Sequence, residues 1–318
     1  MQNQSKQFGE HIFRIKIPTP FAVGPVFSYL IKDEKVVLID CGQYEERAFT
    51  KVELALREQG LTVKDIDEIW LTHAHPDHFG QAARLADKAG AVILGHRKEE
   101  ASFSGYNNRD LFVEFFNSHG IPQQVKRKMI EQLDWLEQYQ QAVSPKWIED
   151  GEQLSSGKLQ FKVQHTPGHA AGHLVFAERD GMIIGGDLLL KHITTNALIN
   201  FDPDTGQRNR SLLQYRDSLQ WLAGQSGQVL PGHGVFIKEI SRVAEHHLAE
   251  HSIRYSQVVQ LLNQGPLSLL DLSLRLFPKA MKQGDTFLVF SEVMGYLDWG
   301  MEKGEIYEIQ KGSIRYAL

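Results

Sequence analysis

Ile69-Trp70-Leu71-Thr72-His73-Ala74-His75-Pro76-Asp77-His78-Phe79-Gly80 is the stretch that decides how this chain is read. An apolar run closes at Thr72, and the next six positions carry three imidazoles and a carboxylate, a density of polar groups that no packed core requires. Imidazole and carboxylate together, without thiolate, suit Zn2+ and its first-row neighbours. The histidines stand where a strand gives way to a loop, a position that holds side chains rigidly. Three more strand ends repeat the pattern. His165-Thr166-Pro167-Gly168-His169 follows the alternating segment 159–163, Gly185-Gly186-Asp187 follows Met182-Ile183-Ile184, and Pro231-Gly232-His233-Gly234 follows Val229-Leu230. Small Gly and Pro neighbours let backbone approach such residues closely, and four strand ends together are far more specific than any one motif.

This combination resembles the metallo-β-lactamase fold hydrolases over roughly residues 10–250, and Val36-Val37-Leu38-Ile39-Asp40-Cys41-Gly42 matches that family's first motif. The resemblance implies an α/β fold, an αββα sandwich with two β-sheets face to face and helices outside. It implies that His73, His75 and His169 hold a first metal, that Asp77, His78 and His233 hold a second, and that Asp187 bridges them. Asp40 would support the site from behind the ligands. The expected cofactor is two divalent metal ions, Zn2+ first, with Mn2+ or Fe as alternatives. Such ions share a water whose pKa falls towards about 7 and so supply hydroxide at neutral pH. Asp77 would orient it and receive a proton, which makes Asp77 and Asp40 the expected catalytic residues.

The remaining polar residues read more plainly. His165 and His173 suit packing or hydrogen bonding, His192 is the best further candidate for a substrate contact, and His246, His247 and His251 read as solvated positions on a polar helix. Cys41 reads as a small buried strand-end residue. Nucleotide-binding glycine loops and Gly-x-Ser-x-Gly are absent.

Composition frames an intracellular enzyme. The chain has 318 residues, 42% of them hydrophobic, enough for a large core and a second unit. One cysteine excludes an intramolecular disulfide framework, and no hydrophobic signal region opens the sequence. No apolar stretch approaches the roughly 20 residues of a membrane span. The net charge of −5 argues against a strongly basic nucleic-acid surface. A cytoplasmic enzyme with a small-molecule substrate, no nucleic acid and no membrane partner is expected, with homo-oligomerisation left open.

Periodicity predicts strands at 11–18, 22–32 and 36–40, a helix at 46–59, a helix at 81–89 and a strand at 91–94. Residues 97–145 then form a helical insertion, with helices at 110–118 and 123–143 divided by Gly120-Ile121-Pro122. Its Phe103, Tyr106, Leu111, Phe112, Phe115, Phe116, Trp135, Leu136 and Tyr139 suit either a lid over an apolar substrate or docking to the core or to a second subunit. A catalytic domain at 1–250 is expected, followed at 251–318 by a small C-terminal domain with helices at 268–277 and 286–303 and a hairpin turning at Lys311-Gly312. That tail resembles the winged-helix domain ending one branch of the superfamily, which includes endoribonucleases. The segment 286–299 offers no cationic face for DNA, so a packing or interface role is the favoured reading. The expected function is metal-dependent hydrolysis of a small ester, thioester or lactone, with single-strand endoribonuclease activity as the alternative.

Overall fold

In the computed structural model, which describes residues 5–105 and 109–318, apolar alternation has produced two sheets; Tyr106 lies outside the described residues. The first sheet takes β1 (Ser5–Phe8), β2 (Ile12–Ile17), β3 (Val26–Lys32), β4 (Val36–Ile39), β5 (Glu68–Trp70), β6 (Val92–Gly95) and β7 (Lys146–Trp147) in chain order. Pairing is antiparallel up to β4 and parallel from β4 to β7. Parallel neighbours need crossovers, and these are helical. α1 (Glu46–Glu58) joins β4 to β5, α2 (Pro76–Phe79) and α3 (Ala82–Ala89) join β5 to β6, and the insertion with α4 (Glu100–Phe103), α5 (Arg109–Ser118) and α6 (Gln123–Glu137) precedes β7. The second sheet runs β12-β11-β10-β9-β8, from β8 (Gln153–Ser155), β9 (Gln160–His165), β10 (Leu174–Glu178), β11 (Met182–Gly186) and β12 (Gln228–Pro231), with α7 (Ser211–Ala223) crossing between the parallel β11 and β12.

Side chains of period two sort into layers. Phe27, Tyr29, Ile31, Val37, Ile39 and Trp70 of the first sheet meet Phe161, Val163, Leu174, Phe176, Ile184 and Leu230 of the second. Trp70 lies edge-on to Phe161 at 5.4 Å and tilted on Phe176 at 5.4 Å, contacts worth about 0.5–1.5 kcal/mol each beyond area burial. The alternate residues of the first sheet face outward onto Phe49, Val52 and Leu56 of α1 and Leu85 of α3. Those of the second, Val175, Ile183 and Val229, face α7 and the tail. This is the four-layered αββα arrangement.

The tail consists of α8 (Ile240–Leu262), α9 (Leu269–Leu276), α10 (Pro278–Gln283), α11 (Thr286–Glu302) and the hairpin β13 (Tyr307–Lys311) and β14 (Ser313–Ala317). α8 runs unbroken across residue 250, and the residues on either side share one core with α7. α11 is buried along most of its length, with Val289, Phe290, Val293, Met294, Tyr296 and Leu297 inside. His247 and His251 correct the solvated reading of α8. They are 2% and 3% exposed, because Val243, His247, His251, Tyr255, Val258 and Leu262 recur every three or four residues and form the inward stripe.

The insertion docks at both ends. Phe112 packs on Phe201 and Phe287, Phe116 on Phe290, and His119 Nε2 meets the Tyr316 hydroxyl at 2.8 Å. These aromatics therefore join the insertion to the tail. At the other end Trp135 and Tyr139 pack edge-on against Phe21, at 5.8 and 5.5 Å, and the Tyr139 carbonyl accepts the Tyr44 N–H.

Candidate metal centre

The polar residues that follow four strands converge. β5 leads through Leu71 and Thr72 to His73 and His75, and Pro76 starts α2 at a position where its missing N–H costs nothing, so one short turn lifts Asp77 and His78 into the same space. The β9–β10 connector brings His169, the end of β11 brings Asp187, and the end of β12 brings His233. Ligand-type atoms of His73, His75 and His169, of His73, His78 and Asp187, and of Asp77, His78 and His233 form three groups, each within 4.8 Å. All seven expected ligands are thus brought together. Gly232 is required here, since a Cβ on it would fall 2.3 Å from Asp187 Oδ1 and 2.7 Å from His78 Cε1.

Hydrogen bonds assign the ring protons. Asp40 accepts the Thr72 N–H at 2.9 Å, the Thr72 hydroxyl at 2.8 Å and His78 Nδ1–H at 2.7 Å. The Thr72 hydroxyl, its proton already used, accepts His73 Nδ1–H at 2.9 Å. His169 Nδ1–H donates to the Asn196 carbonyl at 2.9 Å and His233 Nδ1–H to the Pro25 carbonyl at 3.0 Å. Four rings therefore commit Nδ1 to a neighbour and turn Nε2 inward. A metal-binding histidine characteristically donates its second nitrogen to a carbonyl or carboxylate in this way. His75 faces the group with Nδ1, 2.9 Å from both His73 Nε2 and His169 Nε2.

Asp40, 2% exposed, is the one non-glycine residue among the described residues with positive φ, 53°. A backbone held there costs of order 1–3 kcal/mol and persists only where the surroundings over-determine it. Its carboxylate fixes Thr72, His73 and His78 together. The resemblance implied a supporting position for Asp40, and its carboxylate lies on Thr72 and His78.

The charge pattern fits a cation. Burial, reinforced by neighbouring imidazoles, pushes His73 well below the usual histidine range, and burial pushes His75 down to about 3 and lowers His169. These three are neutral lone-pair donors. Burial opposes protonation of His78 and His233 as well, but the carboxylates of Asp187, Asp40 and Asp77 prevail at His78, and those of Asp187 and Asp77 at His233, and raise both rings. Asp77 and Asp187 are both lowered, burial being overcome by His78 and His233. His78 Nε2, His233 Nε2 and Asp187 Oδ1 are buried without a hydrogen-bond partner, which costs about 1–3 kcal/mol each when left so. Converging ring nitrogens whose other nitrogens are tied off, beside carboxylates that favour positive charge, fit divalent metal.

Two residues that the sequence does not flag complete the frame. Glu99, 5% exposed, accepts the Ala74 N–H at 3.2 Å on one oxygen and the Gly172 N–H at 2.6 Å on the other. One carboxylate thereby ties the loop of His73 and His75 to the loop of His169, and burial pushes it up to about 7 against those donors. Asn196 acts through its main-chain oxygen, which carries no side-chain signature. Of the other histidines, His173 accepts the Asp187 N–H on Nε2 at 3.2 Å and donates to Thr166, while His165 stacks on His96 at 4.2 Å. These agree with the packing and hydrogen-bonding reading. His192 is exposed on the segment after Asp187, and Cys41 is fully buried with its thiol pushed up by burial.

Residues 22–224 match the family model described as the metallo-beta-lactamase superfamily. The chain is 29% identical to the probable metallo-hydrolase YqjP of Bacillus subtilis, over 91% of this chain and 92% of that one. It is 30% identical to the hydroxyacylglutathione hydrolase GloC of Haemophilus influenzae, over 52% of this chain and 66% of that one. A crystal structure of a metallo-beta-lactamase family protein from Thermus thermophilus superposes with a TM-score of 0.83 at 27% identity, covering 96% of this chain and 98% of the other. Among the described residues no helix is long and apolar enough to cross a membrane.

Proposed function

The chain belongs to the metallo-beta-lactamase superfamily, and from that premise we propose that it hydrolyses a small acyl substrate, an ester, thioester or lactone, with a thioester first, at a site holding two divalent metals. The observation that carries the proposal is the convergence of imidazole Nε2 nitrogens whose other nitrogens are committed to Asp40, Thr72, Pro25 and Asn196. His73, His75 and His169 would hold one ion, Asp77, His78 and His233 the other, and Asp187 both. Ions of the Zn2+, Mn2+ or Fe type supply hydroxide at neutral pH and polarise an acyl oxygen. Asp77 offers a carboxylate oxygen, 3.3 Å from His233 Nε2, to orient the attacking water and take its proton. Asp40 keeps the His78 ring in the donating tautomer. Phe21, Trp135 and Tyr139 form an apolar cluster where the Tyr139 backbone meets Gly80, the residue after α2.

A thioester is placed first because a relative named hydroxyacylglutathione hydrolase matches half of the chain. Burial of α11 also supports a small-molecule substrate over nucleic acid, because the helix that a winged-helix reading would turn to DNA is committed to the core that the tail shares with α7. The test is metal analysis of the purified protein, followed by assay of thioesters, lactones, phosphodiesters and short single-stranded RNA with and without chelator. Chelator-sensitive acyl hydrolysis is expected. Efficient cleavage of unstructured RNA, lost in His73→Ala, would replace this reading with the endoribonuclease one.

A further inference from the structure

Between α8, α11 and the segment that follows Asp187 lies a small polar cavity that none of the seven metal-centre residues lines. Its volume is about 30 Å3, room for about two water-sized spheres, and Thr195, Asn196, His251, Ser291, Glu292 and Tyr296 are among the residues that line it.

Most donors in these walls are already committed. The Tyr296 hydroxyl donates to Glu292 at 2.9 Å, the Ser291 hydroxyl to the Phe287 carbonyl at 2.9 Å, and Asn196 Nδ2–H to the Leu288 carbonyl at 2.8 Å. Acceptors are left over. Asn196 Oδ1 is buried without a partner, and so is Nδ1 of His251, a residue 3% exposed. Burial, with Arg216 nearby, pushes the His251 ring down to about 3, so the ring is neutral and has a lone pair to offer. Thr195 is buried and adds a hydroxyl oxygen. At Glu292 burial prevails over the Tyr296 hydroxyl and the more distant Arg254 and raises the carboxyl, which marks a carboxylate short of positive charge.

Two waters would bring protons to these acceptors, but also four lone pairs with few donors to meet them, and unmet polar atoms are costly when buried. A cation attracts every lone pair and adds none. Oxygen-rich walls suit a hard cation, and a single carboxylate balances a single charge. We propose that this cavity binds one monovalent cation about the size of a water, ammonium or K+, held by Glu292, Asn196, Thr195 and His251. The ion locks segment 194–197 to α8 and α11. Since Asn196 also gives its main-chain oxygen to His169, the ion braces the residue that orients that ring. His251, Ser291, Glu292 and Tyr296 lie beyond the region 22–224 that matches the family model, so the site belongs to the tail and stands independently of the acyl-hydrolase reading.

The test is calorimetric melting of the full chain in ammonium, potassium, sodium and tetramethylammonium chloride at equal ionic strength, the last ion being too large for the cavity. Replacing tetramethylammonium by ammonium or potassium should raise Tm, by about 2–4 °C once the ion stands at about ten times its Kd, and sodium should give less. Ammonium ahead of potassium would identify directed N–H bonds as the main hold, and potassium ahead would identify the oxygens. Glu292→Gln keeps the shape and loses the charge, and Thr195→Val keeps the shape and loses an oxygen, so each should raise the apparent Kd by about tenfold or more. Crystals of the unmodified protein soaked in rubidium chloride, whose ion resembles K+, serve if either variant fails to fold: an anomalous peak among the four residues is expected. Equal Tm in all four salts, a response that Glu292→Gln leaves intact, or a soaked cavity holding water alone overturns the proposal.

Discussion

His78 and His169 both turn Nε2 towards Asp187, at 3.5 and 3.8 Å, but different parts of the chain fix the two rings. His78 is held by Asp40, which is held in turn by Thr72, and both follow strands buried between sheet and helices. His169 is held by Asn196, on the long segment between β11 and α7. That segment is pinned to the tail: Asn196 donates to the Leu288 carbonyl, the Ile199 N–H donates to Ser291, and Arg208 makes a bidentate pair with Asp298 at 2.6 Å on each arm. One half of the centre thus rests on the family's sheets and the other on a helix outside the matched region. The same ligand type can be equally well oriented by a rigid strand end or by a loop braced from a distance. Only the first is independent of the tail.

Asp187 is the residue the two halves share, so its removal should show no asymmetry. Asp187→Ala should weaken both metals together and lower kcat/KM by about 10^3-fold or more, the several kcal/mol that polarisation by a bound ion supplies. Metal stoichiometry by elemental analysis alongside the assay checks this. Loss of one ion with the other retained at full affinity would show that Asp187 serves a single half.

Asp40→Ala attacks the strand-held half. It strips His78 Nδ1 and the Thr72 N–H of their acceptor, so metal affinity should fall about 10–100-fold, with a stability loss of about 1–3 kcal/mol for the unpaired buried donors. The ion bound through His78 should leave first in a chelator titration. Simultaneous loss of both would mean that Thr72, which also orients His73, transmits the damage across.

Arg208→Met attacks the loop-held half from a distance. Asp298 is 1% exposed and would lose its partner. Breaking a buried pair costs about 3–5 kcal/mol, and about 2–4 kcal/mol is expected here because the Arg208 side chain keeps partial solvent contact. Urea unfolding measures it. Below the transition, the ion held through His169 should be the more easily chelated, by less than tenfold, since the ligands themselves stay in place. Equal chelation of both ions would break the comparison.

The same contrast governs what the sequence reveals. A strand-held ligand leaves a local signature, an apolar run ended by His or Asp with Gly or Pro beside it, and His73, His75, Asp77, His78, Asp187 and His233 were legible for that reason. His169 was legible through its Thr-Pro-Gly-His string, but not what holds it, because Asn196 uses a backbone oxygen and any residue could supply one. Glu99 sits at the start of a helical insertion among Arg97, Lys98 and Glu100, where one more carboxylate looks like surface. His247 and His251 were hidden differently. Their spacing of four, shared with Val243 and Tyr255, marks an inward face, but the polar run Glu245-His246-His247 masks it. The sheets were legible from their period of two, whereas β1, α7 and α10 carry weaker patterns and emerge only from packing.

Glu99 offers the most specific test, because it spans the two kinds of support by holding Ala74 on the strand-held side and Gly172 on the loop-held side. Its carboxyl is raised to about 7 in the folded protein against about 4.3 unfolded. A raised carboxyl stabilises the fold most where it is protonated in both states, so its contribution is complete below about pH 4 and is lost as pH rises through about 7. Glu99→Gln cannot ionise and should remove that decline. Relative to the variant, the unmodified protein should lose stability between about pH 4 and 7, by up to about 3 kcal/mol, measured by urea unfolding of metal-free protein. The amide of glutamine keeps one acceptor oxygen and sets an N–H where the second was, so either Ala74 or Gly172 loses its bond. Hydrogen exchange should therefore quicken at one of those two backbone N–H groups and not at Thr72, which Asp40 holds. Exchange unchanged at both, with the pH slope intact, would mean that Glu99 does not clamp the two loops and that they are aligned by the sheets alone.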